Sequence, residues 1–108
     1  MFLISVKPQT PTLKVTPSTM IESGSSIKLT CVTASTGSSI TYDYIKDGTT
    51  FYTNDIGSHL LTEISASESG RYTCTATMNS LTSEPSDGIM LTVYGEGDMK
   101  FLIQFQGL

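Results

Sequence analysis

Two segments of this chain alternate apolar and polar residues around a cysteine: Ser26 to Thr33, with Ile27, Leu29 and Cys31 in phase, and Gly70 to Thr77, with Tyr72 and Cys74 in phase. Successive side chains of a strand point to opposite faces, so each segment reads as a β-strand whose cysteine faces inward. Tyr72 stands two residues ahead of Cys74, after the corner Glu68-Ser69-Gly70. A tyrosine so placed can bond back to the backbone upstream and fix the corner through which the chain enters its strand. A bridge between Cys31 and Cys74 would close a loop of roughly forty residues and contribute about 4 kcal/mol in the chain-entropy picture. Such a bridge persists where the surroundings oxidise, which points to an extracellular location. Two reduced, buried cysteines in a cytosolic protein are the competing reading.

At 108 residues the chain has room for one domain and its flanks. Its 17 threonines and 15 serines favour strands and turns, and good helix formers are sparse outside the strand-like runs, so the fold class is all-β. Leu13 to Thr16 reads as an edge strand ended by Pro17. Ile40 to Lys46 follows the first cysteine strand, and Asp47-Gly48 is a hairpin signal that returns the chain through Thr50 to Thr53. Asn54 to Gly57 is a loop, His59 to Ile64 a further strand with Leu61 and Ile64 toward the core, and Ile89 to Tyr94 the closing strand with Leu91 and Val93 inward. About seven strands in this order make a sandwich of two antiparallel sheets with Greek-key connections.

Beside that pattern stands a resemblance. The run Ile40-Thr41-Tyr42-Asp43-Tyr44-Ile45-Lys46-Asp47-Gly48, with Phe51-Tyr52 and with Glu68-Ser69-Gly70-Arg71-Tyr72-Thr73-Cys74, resembles domains of the immunoglobulin superfamily of the C2 or I type. It is similar to domains of platelet endothelial cell adhesion molecule and of Fc-receptor-like proteins. The resemblance covers about Pro11 to Tyr94 and implies an immunoglobulin-like sandwich with Cys31 bridged to Cys74. It also implies an extracellular module of a cell-surface adhesion or immune receptor. The family pattern expects a buried tryptophan on the third strand, and this chain has no tryptophan. Tyr44 takes that place against the disulfide, Tyr42 points to the same face, and the buried hydroxyl needs a hydrogen-bond partner. The separation of the cysteines is too short for a variable-type domain.

Three segments result: 1–10 as an N-terminal flank, 11–94 as the domain, and 95–108 as a linker and start of a following unit. Leu3 to Pro8 resembles the closing strand Met90 to Tyr94, as if a preceding domain ended there, and Met99, Phe101, Ile103 and Phe105 alternate with Lys100, Leu102, Gln104 and Gln106 like a new strand. The first residues lack a positive n-region and a cleavage site, so they do not read as a signal peptide. On this reading the parent chain is membrane-anchored and carries neighbouring domains of the same kind; the alternative is that both ends are disordered or extra edge strands of a free-standing small protein.

Residues for catalysis are scarce. His59 is the one histidine, set beside Leu60 and Leu61, and reads as a packing or surface residue. No second histidine or spare cysteine completes a zinc site, no Gly-x-Ser-x-Gly elbow occurs, and Asp43, Asp47 and Asp55 match no calcium loop. Asn54 and Asn79 lack the serine or threonine two places on that N-glycosylation requires. The expectation is no enzyme, no cofactor, no metal and no small-molecule substrate. A net charge of -4 with six scattered Lys and Arg leaves no basic stripe for nucleic acid.

Function is therefore expected on a surface, with a protein partner, self included. Residues out of phase with the core set face outward: Asp43 and Ile45 on the third strand, Arg71, Thr73 and Thr75 (with Thr77) on the second cysteine strand, Met90 and Thr92 on the last. Ile45 beside Met90 would form an apolar centre with a threonine rim and one arginine. The segment Met78 to Ser86 is expected to be a long polar turn, with Met78, Asn79 and Leu81 as a second contact. A spacer that only sets distance in a longer chain is the alternative.

Overall fold

A computed structural model describes residues 7–35 and 39–95 of the chain. The readings of Leu3 to Val6 and of Met99 to Phe105 lie outside them. The strands in chain order are β1 (Thr12–Thr16), β2 (Met20–Glu22), β3 (Ile27–Val32), β4 (Thr41–Lys46), β5 (Thr49–Asn54), β6 (Ser58–Leu61), β7 (Gly70–Met78), β8 (Leu81–Thr82) and β9 (Ile89–Tyr94), with a single 3-10 turn at Ala66–Glu68. They form two sheets, β1-β3-β6 and β2-β9-β7-β4-β5, the latter extended by β8 on β7.

The edge strand read at Leu13 to Thr16 is β1, and a further strand, β2, follows it on the other sheet. β1 runs antiparallel to β3, from Thr12 opposite Val32 to Thr16 opposite Lys28. Pro17 then stops the ladder, because it has no N–H to donate. Ser18 turns the chain: its hydroxyl accepts from the Met20 N–H at 3.1 Å and donates to the Met20 carbonyl at 3.0 Å. β2 continues on the opposite sheet, parallel to β9, with Ile21 opposite Val93 and buried. This is the one parallel pairing among the described strands. The short Met20–Glu22 segment, with a single buried residue, carries too little periodicity to be read from sequence.

The Asp47-Gly48 hairpin and the inward set of the cysteine strands and the closing strand are as read from the sequence. Asp47 and Gly48 both take positive φ, 50° and 84°, the backbone of the two-residue hairpin whose twist matches that of its strands. Ile27, Leu29, Cys31, Leu91 and Val93 are buried, as is Ile64, which lies just beyond β6. The Cys31–Cys74 disulfide joins β3 of one sheet to β7 of the other, with Cα atoms 6.2 Å apart. Tyr44 is 0 % exposed and lies opposite Cys74 in the β4–β7 register. Its hydroxyl donates to Asn54 Oδ1 at 3.1 Å. Asn54 in turn organises the β5–β6 connection, accepting from the N–H groups of Ile56 and Gly57 and donating to the Ser58 carbonyl. One asparagine thus satisfies the buried phenol and builds the turn beside it.

The corner before β7 is built in the same economical way. The Tyr72 hydroxyl donates to the Glu68 carbonyl at 2.5 Å. The Glu68 carboxylate accepts from the Ser65 N–H at 2.6 Å and the Ser65 hydroxyl at 2.9 Å, bonds that hold its carboxyl below the usual range. The Ser69 hydroxyl accepts from the Val93 N–H at 2.8 Å and ties the corner to β9.

Burial pushes the phenols of Tyr44 and Tyr72 up to about 12, with the charges of Glu68 and Asp47 adding to the effect on Tyr72. The folded state therefore keeps both protons at a pH where the unfolded chain, near its ordinary value of about 10, releases them. The contribution of these groups is whole below pH about 10 and is lost as pH rises toward about 12. Denaturant midpoints measured across that window are expected to fall. In Tyr72→Phe the fall should be shallower, from a stability about 1 kcal/mol lower at neutral pH for the lost corner bond.

Candidate recognition face

The outward side of the larger sheet centres on β7. Along one edge β7 pairs without interruption with β4, from Tyr72 opposite Lys46 to Thr77 opposite Thr41. Along the other edge the ladder is patched. β9 covers only Gly70 to Tyr72, and β8 covers only Thr77 and Met78. Between them two buried serines supply what a strand would. Ser86 donates its N–H to the Cys74 carbonyl at 2.9 Å and accepts the Cys74 N–H on its hydroxyl at 3.0 Å. Ser83 does the same for Ala76, at 2.8 Å and 2.9 Å.

Three residue steps from Ser83 to Ser86 oppose two from Ala76 to Cys74, so one residue is in excess and the segment bulges at Glu84-Pro85. Proline suits the bulge because it has no N–H to leave unpaired. Pro85 forms part of the wall of a surface pocket of about 350 Å³, together with Ile45, Gly48, Arg71, Thr73, Thr75 and Ser86. The two serines were not singled out in the sequence. The only signal was Ser83-Glu84-Pro85-Ser86, a proline between two serines in a segment read as a long polar turn.

The predicted face residues fall as follows. Arg71, Met90 and Thr92 are exposed, and Asp43 and Ile45 are half-buried. Thr73 and Thr75 are each 8 % exposed, so they make the floor of a pocket and not a solvated rim. The Pro85 bulge and the neighbouring Ile45 enclose them, which alternation alone does not reveal. Asp43 ties the sheet across three strands, its carboxylate accepting from Thr53 on β5 at 2.6 Å and from Thr75 at 3.3 Å. Ile45 and Met90 do not form one apolar centre. Ile45 lies opposite Thr73 and Met90 opposite Arg71, with β7 between them, so two strand spacings and a two-residue offset along β7 place them about 12 Å apart. Met78, Asn79 and Leu81 lie not in a long loop but at a hairpin. Met78 pairs with Leu81, and Asn79 and Ser80 take positive φ, 53° and 66°.

A second cluster occupies the sandwich edge between β5 and β6. The β4–β5 register slips between Tyr44 and Ile45, so Phe51 has no partner and packs edge-on to Tyr72, ring centres 5.8 Å apart. Tyr52 stacks on His59 at 3.8 Å. Burial lowers the pKa of His59, in keeping with a packing role. Among the described residues no group of three His, Cys, Asp or Glu could hold a metal ion, and no helix is long and apolar enough to cross a membrane.

Comparison with known proteins places this geometry. Residues 10–93 match the family model described as immunoglobulin domain. The second Ig-C2 domain of human Fc-receptor like A superposes with a TM-score of 0.68 at 25% identity, over 80% of this chain and 98% of that one. The human OSCAR ligand-binding domain gives a TM-score of 0.70 at 23% identity, over 82% of this chain and 51% of that one. CHIR-AB1 gives 0.69 at 18% identity, over 79% and 98%. No curated protein sequence matches the chain.

The patched ladder generates a stability test. Ser86→Ala removes the acceptor of a buried N–H, that of Cys74, and is expected to cost about 1–3 kcal/mol. Urea denaturation should read that loss, with faster hydrogen exchange at Cys74. The same change at the exposed Ser80 should leave both readouts nearly unmoved.

Proposed function

Because the chain belongs to the immunoglobulin domain family, we propose that it is an extracellular recognition module of a cell-surface adhesion or immune receptor, binding a protein partner through the β9-β7-β4 face. The observation that carries this reading is the pocket over β7. A disulfide-locked strand holds Arg71, Thr73 and Thr75 at its mouth and floor, with Ile45 and Pro85 as apolar walls. A small apolar and hydroxyl-bearing centre with one arginine, on a rigid scaffold, has the composition of a modest protein interface. The bulge at Glu84-Pro85 supports the same reading, since bulges commonly re-aim side chains beside sites of function. The disulfide supports an oxidising location. Action would be recognition without turnover.

The test is a tetramer of the chain applied to a panel of cells, with sedimentation velocity of the free chain across concentration. Ile45→Lys places a charge in the pocket wall, and Met90→Lys places one on the exposed part of β9. Cell staining, or concentration-dependent dimers, reduced at least about tenfold by Ile45→Lys in a folded variant is the expected result. Staining that both variants leave intact would move recognition to another surface. A monomer that stains nothing would make this unit a spacer.

A further inference from the structure

No carboxylate among the described residues pairs with the Arg71 guanidinium, although the Asp47 carboxylate accepts the backbone N–H of Arg71. Among the described residues the one ion pair joins Lys7 to Glu84 at 3.0 Å, beside the pocket wall at Pro85 but not to Arg71, and the Arg71 side chain makes no hydrogen bond with them. Its guanidinium lies over Gly88, where a Cβ would collide with it. The absent side chain at position 88 therefore lets the guanidinium lie down along the pocket rim. The floor adds one more open donor. Thr75 gives its hydroxyl to Asp43, and the Ser86 hydroxyl is engaged by the Cys74 N–H and the Asp87 carbonyl. The Thr73 hydroxyl has no partner among the described residues, although Thr73 is 8 % exposed. No fully buried side-chain polar atom there lacks a partner, so this hydroxyl opens onto the pocket.

The pocket thus offers a planar cationic fork and a free hydroxyl between the apolar walls of Ile45 and Pro85. Arginine matches a carboxylate with two parallel N–H donors, and methylene groups suit the walls. A dianion fits less well, because the Asp43 carboxylate stands beside Thr75 and the Asp47 carboxylate accepts the Arg71 N–H at 3.0 Å. We infer that this pocket receives an acidic side chain of the protein partner, a glutamate above all, through the Arg71 guanidinium and the Thr73 hydroxyl; this deepens the recognition reading above and rests on it.

The test is a nitrogen-15 NMR titration of the whole chain with N-acetyl-glutamate N-methylamide, its glutamine counterpart, and inorganic phosphate. The glutamate probe is expected to give saturable shifts confined to Arg71, Thr73, Thr75, Ser86 and Gly88, with the glutamine probe about tenfold weaker for want of the charge-assisted pair. Arg71→Gln should abolish those shifts in a chain whose spectrum stays dispersed. Gly88→Ala, which displaces the guanidinium while the flexible arginine relieves the clash, should weaken binding at unchanged stability. Equal shifts from both amide probes, tighter binding of phosphate, or shifts that survive Arg71→Gln would overturn the assignment. Cell staining lost in Ile45→Lys but kept in Arg71→Gln would sink the carboxylate and leave the recognition face standing.

Discussion

The covalent link between β3 and β7 is the constraint on which the rest depends. It ties the middle of one sheet to the middle of the other, and the largest buried side chains gather around it: Tyr44 across the register from Cys74, Tyr72 two residues before it, Ile27 and Leu29 on the partner strand. Closing so long a loop removes freedom chiefly from the unfolded chain, so the sheets need not rely on area alone to stay together. A small domain has little surplus stability, and one such link is a large share of it.

Replacing a tryptophan by Tyr44 changes what the core must do. A phenol brings an oxygen into the interior, and an unsatisfied oxygen there costs more than its bond contributes. The chain answers with Asn54, whose side chain accepts the hydroxyl proton and organises the turn that leads to β6. Core packing and loop geometry are thereby one network. Beside the register slip at Phe51, the rings of Phe51, Tyr52 and His59 form an aromatic edge on which Phe51 and Tyr52 stay exposed.

On the outer side of the same strand, serine hydroxyls stand in for backbone groups. Ser83 and Ser86 each accept a β7 N–H that regular pairing with β9 would have taken, and Ser69 accepts the Val93 N–H of β9 itself. That substitution frees the segment before β9 to bulge at Pro85, and the bulge makes a hollow from what would otherwise be a flat sheet face. The recognition proposal depends on this: the disulfide holds β7 from within, and the patched ladder shapes what it presents outside.

Alternation around Cys31 and Cys74, the Asp47-Gly48 hairpin and the Glu68-Ser69-Gly70 corner before Tyr72 were enough to establish an all-β sandwich, its inward set and the strand bearing Arg71, because strand periodicity and turn chemistry are local properties. The strand β2 beyond Pro17 was not legible, since it holds one buried residue and pairs in parallel with the far end of the chain. Nor was the pocket: threonines at 73 and 75 read as outward whether open or enclosed, and what encloses them arrives ten residues later through a proline bulge. Which way a side chain points is set by its own strand. Whether water reaches it is set by a segment distant in sequence, and only the tertiary structure brings the two together.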